Sequence, residues 1–172
     1  DFTQIRECAE YFSGVARRIK LGDGPAMKVA DGVKGFTHRE PWGVVAGIIP
    51  WNYPIVLTSW FMFPALLSGN TILIKPAEDT PLSALYIAKL AQEAGFPAGV
   101  INVLPGRGEI TGHAIAEHPG VRYISFTGSP GVGQAILRTC DRHGTRMKRE
   151  LGGNGAAIVL ADADPEVVAR MV

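Results

Sequence analysis

Apolar positions along the chain switch period several times, and each switch marks an element. Phe2, Ile5, Ala9, Phe12, Ala16 and Ile19 recur at helical spacing, so the opening segment reads as an amphipathic helix. "AMKVADGVKGFTHRE" follows as two extended runs about Asp31-Gly32, a dipeptide suited to a hairpin turn. A regular alternation then begins. "GVVAGIIP" is a buried strand, followed by a helix from about Pro54 to Ser68 that stops at Gly69-Asn70. "TILIKP" is the next strand, with a helix after it whose N-cap is Thr80, whose first residue is Pro81 and whose end is marked by Gly95. "VINVLP" precedes a helix over "EITGHAIAEH", and "VRYISF" precedes one from about Gly131 to His143. Two more extended runs, "RMKREL" and "AAIVLA", lead to a final helix that starts at Asp164-Pro165.

Short apolar strands separated by helices predict an α/β fold: a doubly wound, Rossmann-like parallel sheet with helices on both faces and a small hairpin arm. The expected division is an N-terminal helix over residues 1–21, an oligomerisation-type arm over 22–40 and a nucleotide-binding domain over 41–172. Ligands in such sheets bind beyond the carboxyl ends of the strands, so the strand-to-helix turns are the places to search for chemistry.

Composition changes this picture little. Hydrophobic residues make up 47% and charged residues 19%, as in a globular domain rather than a disordered one. The formal net charge is +1, which gives no reason to invoke nucleic acid. The one basic bunch, Arg138, Arg142, Arg146, Lys148 and Arg149, has no interleaved aromatics for base stacking and reads as a solvated face. No charge occurs from Pro41 to Ile74, but Pro50, Asn52, Pro54 and Pro64 break that run, so a buried strand and helix fit better than a membrane span. Two cysteines, Cys8 and Cys140, form no CxxC pair; both read as core thiols, and their usage suggests a reducing, cytoplasmic setting. No secretion signal is visible, and the four histidines have no metal-ligand spacing.

Four turns carry candidate chemistry. In "PWNYP", Asn52 either caps the next helix or donates its amide to an oxygen acquiring charge. In "KPAE", Lys75 and Glu78 either decorate an exposed turn or grip the vicinal hydroxyls of a ribose. In "LPGRGEITG", Gly106, Gly108 and Gly112 give GxGxxxG, a weak match to dinucleotide fingerprints. In "FTGSPGVG", Gly128 and Ser129 open a helix whose N–H groups could hold a pyrophosphate, and no Gly-Lys-Ser/Thr is present to suggest nucleoside triphosphate chemistry.

"IIPWNYP", "LIKPAEDTP", "GVINVLPG", "FTGSPGVG" and "ELGGN" together resemble the NAD(P)-dependent aldehyde dehydrogenase superfamily in order and approximate spacing. The resemblance implies oxidation of an aldehyde to a carboxylic acid. A cysteine thiolate attacks the carbonyl, the adduct gives hydride to the nicotinamide, and water hydrolyses the thioester. It implies that Asn52 stabilises the oxyanion and that Glu150 is general base for the water. It places Lys75 and Glu78 on the adenosine ribose, Gly128 and Ser129 on the pyrophosphate and Val132 near the adenine. Ile48, Ile49, Pro50, Trp51, Leu151 and Gly152 would flank the nicotinamide half, and Gly108, Gly112 and Phe126 further walls. The cofactor expected is NAD, with NADP left open, and the parent enzyme is expected to be a homo-dimer or homo-tetramer without membrane or nucleic-acid partners. Asn154 stands where a lysine is commoner, and Lys148 and Arg149 where apolar strand residues are usual. The family's cysteine lies beyond this sequence, so the expectation is an excised portion, inactive alone. The alternative is a stand-alone nucleotide-binding or structural module. A CoA-acylating relative would not be expected to carry Glu150.

Overall fold

The computed structural model describes residues 2–19 and 21–171. Helix α1 (Phe2–Ala16) precedes four short strands, β1 (Gly22–Asp23), β2 (Met27–Ala30), β3 (Val33–Gly35) and β4 (His38–Arg39). Then come β5 (Val44–Ile48), α2 (Pro54–Leu67), β6 (Thr71–Lys75), α3 (Leu82–Glu93) and β7 (Ile101–Val103). A π-helical turn (Gly108–Gly112) runs into α4 (His113–Glu117), followed by β8 (Val121–Gly128), α5 (Pro130–His143), β9 (Arg146–Leu151) and α6 (Pro165–Met171).

Five parallel strands form the main sheet in the order β7-β6-β5-β8-β9. The chain therefore builds outward from β5 in one direction, then returns to β5 and builds in the other. Val45, Ile49, Ile72 and Ile74 pack with Phe61, Met62, Ala84 and Ile87 of α2 and α3 on one face. Ala46, Ile48, Ile124 and Phe126 pack with Ile115, Ala116, Ile136 and Cys140 of α4 and α5 on the other. This is the doubly wound α/β architecture, and the strand alternation of period two explains why both faces are apolar. Ile72, Ile74 and Ile124 have no exposed surface, each contributing about 2–3 kcal/mol of burial at the sheet centre.

Two glycines set how close the helices come. A Cβ at Gly47 would lie 2.5 Å from the Phe61 ring, so α2 can seat on β5 only over a residue without a side chain. A Cβ at Gly133 would lie 2.7 Å from Leu151 Cδ2 and 3.1 Å from the Phe126 ring, so α5 rests directly on the ends of β8 and β9. Asn70, 6% exposed, ties the end of α2 to the start of β5: its Nδ2 donates to Ala65 O at 2.9 Å and its Oδ1 accepts from Gly43 N at 3.1 Å.

Several sequence expectations need correction. Among the described residues, 156–160 ("AAIVL") pair with no strand and have no regular structure, and Ile158 is 89% exposed. Thr80 caps nothing: Pro81 occupies the cap position, and the Thr80 hydroxyl is buried without a partner. The "EITGHAIAEH" helix starts as a π turn over Gly108–Gly112 before α4. In α1 the stripe is displaced, since Phe2 and Ala16 are exposed while Ile5, Cys8, Ala9, Phe12 and Val15 are half-buried, and the helix ends before Ile19. Cys8 is thus a partly covered thiol rather than a core one, whereas Cys140 has no exposed surface. The extended region before β5 holds two pairings: β2 with β3 about Asp31-Gly32, and β1 with β4, where Asp23 lies opposite His38.

Candidate functional site

Every strand of the main sheet delivers its carboxyl end to the same edge. Ile48 lies level with Lys75 on one side and with Phe126 on the other, and Thr127 and Gly128 face Glu150 and Leu151. Because β5 is where the connections reverse direction, α2 leaves this edge toward one face and α5 lies on the other. A crevice opens there for geometrical reasons alone.

A cleft of about 890 Å³ occupies the α4/α5 side of that edge. Ile48, Lys75, Glu78, Gly108, Gly112 and Val132 line it, six residues drawn from four separate sequence motifs. Lys75 is 3% exposed, and its ammonium donates to Pro76 O at 2.9 Å. Burial pushes the Lys75 ammonium below the usual lysine range, and the carboxylates of Glu78 and Glu109 pull it back up. Glu78 Oε2 lies 4.0 Å from Lys75 Nζ and accepts the Gly108 N–H at 3.0 Å. That bond pins the π turn against the end of β6 and leaves Oε1 of a half-exposed carboxylate for a ligand. The arrangement is a buried cation and an accessible acceptor at one end of an elongated cleft, chemistry suited to a diol.

Ser129 begins α5 as its N-cap, with extended backbone and with Oγ accepting from Val132 N at 3.5 Å. Pro130 has no N–H and the Val132 N–H is taken by Ser129 Oγ, so the donor left open in the first turn is that of the exposed Gly131. Val132 projects from this turn into the cleft at 52% exposure.

The remaining candidates lie outside the cleft. Ile49 is buried on the opposite face, as strand alternation requires. Phe126 is 3% exposed beneath Gly128 and Gly133 and serves as a floor for α5. Trp51 and Asn52 are exposed in the bend between β5 and α2, after half-buried Pro50; Tyr53 precedes the helix without a side-chain cap, so Asn52 does not act as one. Glu150 is 58% exposed on β9 and pairs with Lys148 two residues earlier, Nζ to Oε1 being 3.1 Å. Lys148 is exposed on β9 beside it. Gly152 lies beside Pro130 at the α5 N-terminus.

Glu109, His113, Ala135, Ile136, Arg138, Thr139 and Arg142 also line the cleft. Those on α5 continue the face begun by Val132 at spacings of three and four, a signal present in the sequence. Glu109 becomes visible only once the π turn is formed.

A sequence model described as "Aldehyde dehydrogenase family" matches residues 1–172. The chain belongs to the aldehyde dehydrogenase family. It is 53% identical over 134 residues to phenylacetaldehyde dehydrogenase of Pseudomonas fluorescens, covering 78% of this chain and 27% of that one. It is 44% identical over 167 residues to retinaldehyde dehydrogenase 3 of Rattus norvegicus, covering 95% and 32%. Among solved structures, an NAD+ complex of aldehyde dehydrogenase from Bacillus cereus superposes with a TM-score of 0.89 at 43% identity, over 96% of this chain and 33% of that one. A putative aldehyde dehydrogenase from Burkholderia cenocepacia gives 0.89 at 44% identity, over 98% and 34%. This aldehyde dehydrogenase chain therefore spans between a quarter and a third of the length of the relatives it matches.

Proposed function

We propose that this chain is the NAD-binding part of an enzyme that oxidises an aldehyde to a carboxylic acid. The observation that carries the reading is the placement of Lys75, Glu78 and Val132, in the first turn of α5, along one cleft at the carboxyl edge of the sheet. Glu78 accepts hydrogen bonds from the adenosine ribose, with the Lys75 ammonium beside it, and the Gly131 N–H in the first turn of α5 donates to the pyrophosphate. Val132 and the apolar α5 face cover the adenine. Bound NAD supplies a hydride acceptor. Asn52, exposed just past β5, donates its amide to the oxygen that gains charge during attack on the aldehyde. Glu150, solvent-facing at the end of β9, takes the proton of the hydrolytic water.

Neither cysteine in the described structure serves as nucleophile. Cys140, on α5, is buried in the core shared with α4 and the sheet, where burial and the neighbouring Asp141 raise its thiol above the ordinary range. Cys8 sits against α2 beside Ser59, and its thiol is likewise raised by burial. The thiolate that attacks the aldehyde belongs to another part of the whole enzyme. The exposed Val29, Val33 and Phe36 of the arm support contact with a second copy in a homo-oligomer. Among the described residues no helix is long and apolar enough to cross a membrane.

The test is calorimetric titration of the 172-residue chain with NAD, with Glu78→Ala as control. Saturable binding lost or strongly weakened in the control supports the reading, and absence of binding to the unaltered chain overturns it.

A further inference from the structure

The π turn does more than approach Glu78. Its Gly108 N–H is fixed by the Glu78 carboxylate, so the residue that follows is carried to the cleft wall beside Lys75. That residue is Glu109. The ribose end of the cleft therefore holds one buried ammonium and two carboxylates, Glu78 and Glu109. Arg107 Nε lies 3.5 Å from Glu109 Oε2, but the guanidinium is 72% exposed and is not among the residues that line the cleft. It partly neutralises Glu109 from the solvent side.

We propose that Glu109 is a second determinant of cofactor choice, a carboxylate that acts with Glu78 to disfavour a 2′-phosphate on the adenosine ribose and so restricts the site to NAD. The proposal rests on the cofactor reading given above. A ribose 2′-hydroxyl is neutral and a hydrogen-bond donor, and two nearby carboxylates cost it nothing. A 2′-phosphate carries between one and two negative charges, and Lys75, the cation beside the two carboxylates, already answers to both; Arg138 and Arg142 line the α5 side of the same cleft. Glu78 has one oxygen already committed to Gly108 and lies next to Lys75, so its own charge is partly offset. Glu109, its side chain 74% exposed, pairs with the equally open Arg107 guanidinium, where screening is strong. Removing the Glu109 charge does two things at once: it lowers repulsion, and it frees Arg107 to turn toward the phosphate.

The experiment measures Kd for NAD and for NADP on the 172-residue chain, unaltered and as Glu109→Gln and Arg107→Gln, at low and at high salt. Glu109→Gln is expected to shift the NADP-to-NAD affinity ratio toward NADP by about 10-fold at low ionic strength, and less at high salt, as for partly screened charges. Arg107→Gln is expected to shift it the opposite way. A role limited to holding the π turn would weaken both dinucleotides together and leave the ratio and its salt dependence in place. If NAD binds and neither substitution moves the ratio, the assignment of Glu109 is overturned while the cofactor reading stands. If the unaltered chain binds neither dinucleotide, both fall.

Discussion

Glu78 Oε2 accepts the backbone N–H of Gly108 at 3.0 Å, joining the turn after β6 to the turn after β7 across thirty residues of chain. One side chain thereby does two jobs, shaping the cleft wall and presenting its second oxygen to the cleft.

Glu78→Gln should separate those jobs. The amide oxygen can still accept from Gly108, but it is a weaker acceptor than a carboxylate, so the turn should lose about 1 kcal/mol of local stability. Hydrogen exchange of the Gly108 amide should quicken several-fold while global unfolding stays nearly fixed. Unchanged exchange at Gly108 would show that the bond does not form in solution.

Gly47→Ala and Gly133→Ala should differ in cost although both fill a tight contact. At Gly47 the new methyl meets the body of the Phe61 ring, itself 8% exposed and hemmed in by the core, so about 2–3 kcal/mol of stability should be lost. At Gly133 the nearest atom is the end of Leu151, 39% exposed and free to swing, and alanine gains about 1 kcal/mol of helix propensity over glycine. Thermal unfolding should place the first variant about 5 °C or more below the parent and the second within about 3 °C of it. Equal losses would contradict this account of the two contacts.

The Asp23–His38 pair should make the β1–β4 pairing sensitive to pH. Its hydrogen bond to Asp23, at 2.6 Å, raises the affinity of His38 for its proton above the usual histidine range, with Asp23 and Glu40 adding favourable charge. A raised folded-state pKa means the contribution is fully present below the unfolded histidine value and is lost as pH rises through the folded one. NMR titration should show His38 holding its proton above the ordinary value of 6.5, and the strand contacts weakening as it is released. Asp23→Asn should bring the midpoint down; an unmoved midpoint would remove the pair from the explanation.

Thiol labelling should distinguish the cysteines. Cys8, half-buried at the surface of α1, should react with a small disulfide reagent in the folded protein, slowly because burial raises its thiol. Cys140 should react only at the rate of unfolding. Prompt labelling of both would place Cys140 outside the core.

In the whole enzyme, Glu150→Gln should slow steady-state turnover by about 10²–10⁴-fold while NAD affinity changes little, since the amide keeps the shape and cannot accept a proton. Turnover equal to that of the parent would dismiss Glu150 as the base.

The strands of the sheet and four of its helices are legible in the amino-acid pattern because their apolar periods recur, and two helix ends are marked by Gly69 and Gly95. The cleft is legible in part: Lys75, Glu78 and Val132 stand at strand-to-helix turns, which a parallel sheet must bring to one edge. Glu109 is hidden because its position depends on a π turn, which no period announces. Residues 156–160 mislead because their β-branched and aliphatic composition suits a strand, yet pairing is a property of neighbours and none lies alongside. Thr80 misleads for a local reason, since Pro81 takes the cap position in helical backbone and turns the hydroxyl inward.

Among the described residues, β9 ends the sheet order with one side unpaired, and beyond it runs an apolar ribbon in which Ile158, Val159 and Leu160 are 89%, 54% and 68% exposed. An open row of backbone donors and acceptors beside a sticky, uncharged stretch is a template for association between molecules. The purified 172-residue chain should therefore be well behaved only when dilute. On concentration or warming it should form sediment whose spectrum shows added intermolecular β-structure, and a lysine in place of Ile158 should raise the concentration at which this begins.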